Sequence, residues 1–221
     1  MPSWAAVEVD ILGMLKSFNK VVKTLIFYDL VLFFGWGFVA PILAIFITQQ
    51  IKGGDVEVAG IAIGFYWVLK SILQIPIGHY LDKRQGEKDD FYALVIGTFL
   101  ASLVPIGFIF AHVPWHIYLL QIFHAVGMGL ALPAWCGIFT RHIDKGKEAQ
   151  TWAWDSSALG IGEGVAGIIG GIVAKIFGFV ILFVGVSIFG LISTALTFLI
   201  KKDLFEKDKQ KEAGILIAKP E

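Results

Sequence analysis

The chain has 221 residues, 57% of them hydrophobic and 16% charged, with a mean hydropathy of +0.76. That composition excludes an ordinary soluble domain and indicates an integral membrane protein whose first partner is the lipid bilayer. The 18 basic and 18 acidic residues cancel and Cys136 is the single cysteine, so no nucleic-acid partner, disulfide framework or thiolate metal site is expected.

Six apolar runs are each long enough to cross about 30 Å of hydrocarbon as a helix. They cover 24–48, 58–81, 91–111, 115–139, 152–174 and 179–200. Basic residues orient them. Lys16, Lys20 and Lys23 precede the first run, Lys83, Arg84 and Lys88 follow the second, and Arg141, Lys145 and Lys147 follow the fourth. A lysine-rich stretch from Lys201 follows the sixth, while the opposite face has only Lys52 and Lys175. Both termini are therefore predicted to be cytoplasmic, in a multi-pass protein of a cell inner or plasma membrane. Residues 1–23, with Trp4, Val7, Ile11, Leu15, Phe18 and Val22 at helical spacing, read as a cytoplasmic amphipathic segment. Residues 24–200 form the membrane domain and 201–221 a polar cytoplasmic tail. Glu8 and Asp10 stand where a secretory signal needs basic residues, so none is expected.

The first run contains Gly35, Gly37 and Pro41 in a G-x-G-x-x-x-P pattern. The fourth repeats it 92 residues later as Gly127, Gly129 and Pro133. Small residues let membrane helices approach closely, and proline interrupts the hydrogen-bond ladder, so both triplets read as packing or hinge positions. The copies lie one three-helix unit apart, which predicts an inverted three-plus-three repeat.

Between the second and third runs lies a dense charged turn with Gly78, Asp82, Lys83, Arg84, Gly86 and Lys88. This turn resembles the G-x-L-A-D-R-x-G-R-K signature loop of the major facilitator superfamily (MFS), with Gly86 one residue late and Glu87 in a usually basic position. The resemblance implies that Asp82 and its basic neighbours latch one conformation of the cytoplasmic face. In the fourth run Gln121 and His124 stand where the family's R-x-x-Q-G pattern has arginine and glutamine, which argues against proton antiport by that arginine. In the fifth run Gly162, Gly167, Gly170 and Gly171 are similar to the family's G-x-x-x-G-P-x-x-G-G pattern and read as a small-residue packing face. The sixth run carries no charge and is expected to face lipid.

The resemblance implies an all-α, six-helix MFS-like half built from two inverted three-helix repeats. It also implies a permease that moves a small solute by alternating access, with the solute site near the midplane between two halves. One half alone then needs a homodimer partner or a second six-helix half. The alternative is a non-transporting scaffold or remnant that kept the bundle and lost the cycle.

Charge at bilayer depth costs several kcal/mol and needs a partner or a wet cavity. Asp29 and Asp155 are predicted to lie shallowly on the cytoplasmic side, and Lys70 and Glu163 near the midplane. Their matched depth and opposite charge suggest a pair, set across a dimer from Lys70 of one copy to Glu163 of the other. Gln74, Gln121 and His124 add candidate polar surface to a central cavity or coupling site. His112 and His116 flank a short outer turn and read as interfacial anchors rather than metal ligands. No nucleophile elbow, zinc helix or phosphate loop is present, so neither an enzyme nor a cofactor is expected.

Overall fold

Asn19 opens the first helix. Its Oδ1 accepts from Val22 N at 3.0 Å, filling one of the helix's orphan donors, while Nδ2 donates to His142 O at 2.5 Å. The computed structural model describes residues 17–84 and 86–206. The predicted amphipathic positions Trp4, Val7, Ile11 and Leu15, and the tail beyond residue 206, lie outside the described residues. Six helices lie wholly among the described residues: α1 Lys20–Val39, α2 Leu43–Gln50, α3 Val56–Arg84, α4 Lys88–Ile109, α5 Pro114–His142 and α6 Glu148–Thr197.

Pro41 separates α1 from α2. It has no N–H to donate, and the chain passes through a tight turn in which Ile42 N donates to Val39 O at 2.8 Å. Pro133, its counterpart in the second G-x-G-x-x-x-P triplet, leaves α5 continuous. Only the first triplet ends a helix.

Five stretches are long and apolar enough to cross a membrane: Lys20–Gln50, Val56–Arg84, Lys88–Ile109, Pro114–His142 and Glu148–Glu206. The expected six-helix bundle of two inverted three-helix repeats is therefore corrected to an all-α bundle with five such helices among the described residues. The fifth and sixth predicted runs fall together in α6 because no polar loop lies between them; Lys175 is the sole charge from residue 164 to 197. The helix is interrupted only at Gly178, whose φ of 79° and ψ of 174° suit a residue without Cβ.

The arms on either side of Gly178 both lie along α1. On the N-terminal arm Gly162 faces Leu30 and Gly170 faces Phe38; on the C-terminal arm Phe189 sits against Gly35 and Ser193 Oγ donates to Tyr28 O at 2.8 Å. The run expected to face lipid therefore has a buried face that includes Leu182, Phe183, Val186, Ser187, Gly190 and Thr197.

Two apolar clusters form the core. One joins Val22, Leu25, Leu94, Ile138, Phe139 and Leu204 near the charged face. The other joins Phe46, Ile47, Phe108, Ile117, Phe183 and Val186 toward the opposite face. Between them, Tyr28 and Thr98 hydroxyls meet at 2.6 Å, and Thr98 Oγ1 also donates to Leu94 O. Long apolar side chains such as Ile72, Ile75, Ile168 and Ile172 remain on the outer surface of α3 and α6, as a lipid-facing surface requires.

Candidate functional site

Two glycine seams place a pair of opposite charges. At Gly129 on α5 the missing Cβ admits α3, with Leu73 Cβ 3.1 Å and Lys70 O 3.8 Å from where a methyl would stand. At Gly37 on α1 it admits α6, with Glu163 Cα and Ala166 Cβ both 2.9 Å from the same point. Lys70 is 14 residues from either end of α3, about 21 Å at ~1.5 Å per residue, so it sits at the middle of the span. Glu163 is 15 residues from both Glu148 and Gly178.

Lys70 and Glu163 line one cavity of about 290 Å³, together with Trp36, Tyr66, Trp67, Gln121 and His124. The walls come from α1, α2, α3, α5 and α6. The two charges belong to the same chain and the same cavity, and they form no ion pair with each other among the described residues. Lys70 is buried and its Nζ lies 3.8 Å from the centroid of the Trp67 ring and 5.2 Å from that of Tyr66. Glu163 is exposed at the cavity's open side.

A buried ammonium in a membrane span costs about 2.5–3.5 kcal/mol on insertion scales. A desolvated cation–π contact returns about 2 kcal/mol. Lys70 is thus left with unmet demand for an anion. Gln121 has a similar deficit: it is 3% exposed and its Oε1 has no hydrogen-bond partner. His124 is held between two rings, 3.9 Å from the centroid of Trp36 and 4.2 Å from that of Tyr66, both nearly parallel to it. These ring faces are used on one another, so charge and hydrogen bonding are the open functions of the cavity.

The remaining predicted residues divide. Asp29 and Asp155 line a separate cavity of about 210 Å³, beside Trp135 and Cys136, and Asp155 Oδ1 has no hydrogen-bond partner among the described residues. Gln74 is half-buried on α3 and does not line the central cavity. Gly78 meets Pro133 of α5, while Asp82, Lys83 and Arg84 are exposed. Arg84 Nε lies 3.8 Å from Asp89 Oδ2. Of the α6 glycines, Gly162 and Gly170 pack on α1 with Ala166 between them at four-residue spacing; Gly167 is in ordinary contact and Gly171 faces open space.

The buried polar cluster at the charged face was not read from the sequence. Arg141 Nε lies 3.4 Å from Glu87 Oε1, its Nη2 donates to Asp90 Oδ2, and His142 Nε2 lies 3.6 Å from Glu87 Oε2. Glu87 and Asp90 are each 1% exposed. Arg141 reads in the sequence only as a topology marker; the signal that points to more is Glu87, an acid in a usually basic loop position.

The family model of the Major Facilitator Superfamily matches residues 25–219. An "Uncharacterized MFS-type transporter" of Methanocaldococcus jannaschii is 25% identical over 178 residues, which is 80% of this chain and 45% of that protein. The chain thus spans about half the length of this curated relative. Among solved structures, the POT family transporter PepTSo superposes with a TM-score of 0.66 at 14% identity, covering 84% of this chain and 38% of PepTSo; that likeness is one of fold.

Proposed function

The chain belongs to the Major Facilitator Superfamily, and from that premise we propose that it is half of a transmembrane transporter moving a small solute by alternating access. The observation that carries the reading is the mid-span cavity, where Lys70 and Glu163 face the same space with no ion pair between them among the described residues. A bundle kept only as a scaffold has no reason to hold two opposite mid-membrane charges apart, since joining them relieves the cost of both. The exposure of Glu163, a charged group at mid-helix, supports a second bundle closing the open side of the cavity. A second copy of this chain is the simplest source of it. The placement proposed is a cell inner or plasma membrane, with the Arg141 face toward the cytoplasm.

In this arrangement the glycine seams at Gly37 and Gly129 keep the charged helices close, and the break at Pro41 lets the outer end of α1–α2 move relative to the rest. The Glu87–Asp90–Arg141 cluster ties α4 to α5 on the cytoplasmic side. The solute, rather than an opposing copy, is then the shared partner of Lys70 and Glu163. The test is the particle mass of the chain in lipid nanodiscs. A mass of two chains per particle is expected; a single chain with no co-purifying bundle contradicts the two-copy transporter.

A further inference from the structure

We propose that the central cavity binds a small zwitterion of amino-acid size, with its anionic group on Lys70 and its ammonium between Gln121 Oε1 and Glu163. The inference rests on the cavity being the transport site, and it adds the chemical class of the solute.

Three observations carry it. First, Lys70 is 8% exposed, its Nζ lies 3.8 Å from the Trp67 centroid and 5.2 Å from that of Tyr66, and it forms no ion pair among the described residues. An anionic group is the strongest partner that a buried ammonium can take. Second, the orphaned Gln121 Oε1 can only accept, so the solute must bring an N–H or O–H donor there. Third, Glu163 lines the same cavity and is free of any ion pair among the described residues. A plain anion would sit against that carboxylate at a cost, whereas a solute with a cationic end answers Glu163 and Gln121 together. Size agrees: about 290 Å³ lies at the small end of ligand cavities. The ring faces of Trp36, His124 and Tyr66 are already stacked together, which disfavours a solute recognised by its own aromatic ring.

The experiment uses the full chain in nanodiscs and follows tryptophan fluorescence, because Trp36 and Trp67 line the cavity. The probes are L-alanine and L-leucine, each with its deaminated acid (propionate, 4-methylpentanoate) and its decarboxylated amine (ethylamine, 3-methylbutylamine). The expected result is a saturable signal for at least one amino acid, at least tenfold tighter than for its acid or amine. Lys70→Gln should remove the advantage of the amino acid over the amine, and Glu163→Gln the advantage over the acid. The exposed position of Glu163 lets Glu163→Gln test the idea even if Lys70→Gln fails to fold. Amine or acid binding as tightly as the amino acid overturns the proposal, and so does the absence of saturable binding by either amino acid. Zwitterion binding with no uptake into proteoliposomes keeps this inference and refutes the transport reading instead, so the two fail separately.

Discussion

Adjacent glycines on α6 should respond oppositely to the same substitution. A methyl at Gly170 would stand 2.8 Å from Phe38 O and 2.9 Å from Phe38 Cα, both backbone atoms that cannot swing aside. A methyl at Gly171 meets nothing within 4 Å. Ordinary carbon contacts begin near 3.5 Å, so Gly170→Ala must part α1 and α6 by roughly 0.7 Å along the seam that also holds Gly37 and Gly162. Overpacking of this kind costs about 1–3 kcal/mol. Alanine's better helix propensity returns up to about 1 kcal/mol, leaving a net loss of about 0–2 kcal/mol. Gly171→Ala collects only the propensity gain, about 0.5–1 kcal/mol. Thermal unfolding of the detergent-solubilised chain, followed by tryptophan fluorescence, compares them directly. The seam would be disproved by Gly170→Ala unfolding at or above the temperature of Gly171→Ala.

The same assay reads three other changes. Arg141→Gln leaves the buried Asp90 without the guanidinium that it accepts from. It should cost about 2–3 kcal/mol, below the ~3–5 for a fully buried pair because the Arg141 side chain is 32% exposed; adding Asp90→Asn should recover part of the loss, and no recovery would count against the cluster. Lys70→Met should stabilise the ligand-free chain by about 1 kcal/mol, since it removes the ammonium cost less the cation–π return, while abolishing zwitterion binding; a destabilised variant contradicts the unmet demand assigned to Lys70. Tyr28→Phe should lose only about 0.5–1 kcal/mol, because Thr98 Oγ1 keeps its bond to Leu94 O at 2.7 Å.

The membrane class and the superfamily were legible in the sequence because hydropathy and the charged turn around Asp82 are local features. The mid-helix position of Lys70 and Glu163 was also legible, since it follows from counting residues along the chain. Their sharing one cavity was not: it depends on which faces Gly37 and Gly129 bring together, and that is a matter of helix rotation. The same rotation separates Gly170 from Gly171, identical residues one position apart. The continuity of α6 through Lys175 and Gly178 was missed because hydropathy reports apolar length rather than the presence of a polar loop. The two G-x-G-x-x-x-P triplets read alike, yet only Pro41 ends a helix. Asp29 and Asp155 read as equally shallow; that they line one cavity follows from the packing of α6 on α1. The role of Arg141 was hidden because its partners Glu87 and Asp90 lie more than 50 residues earlier in the chain.

The most direct test of transport by alternating access is side-specific thiol labelling at the centre of the bundle. Leu132 lines both the Lys70 cavity and the Asp29 cavity, so Leu132→Cys on a Cys136→Ser background reports the region between them. A membrane-impermeant maleimide is applied in turn to each side of sealed vesicles holding the protein in one orientation. Labelling from either side is expected, with zwitterion shifting the ratio of the two rates. Labelling from one side only, unchanged by solute, would contradict the transporter reading.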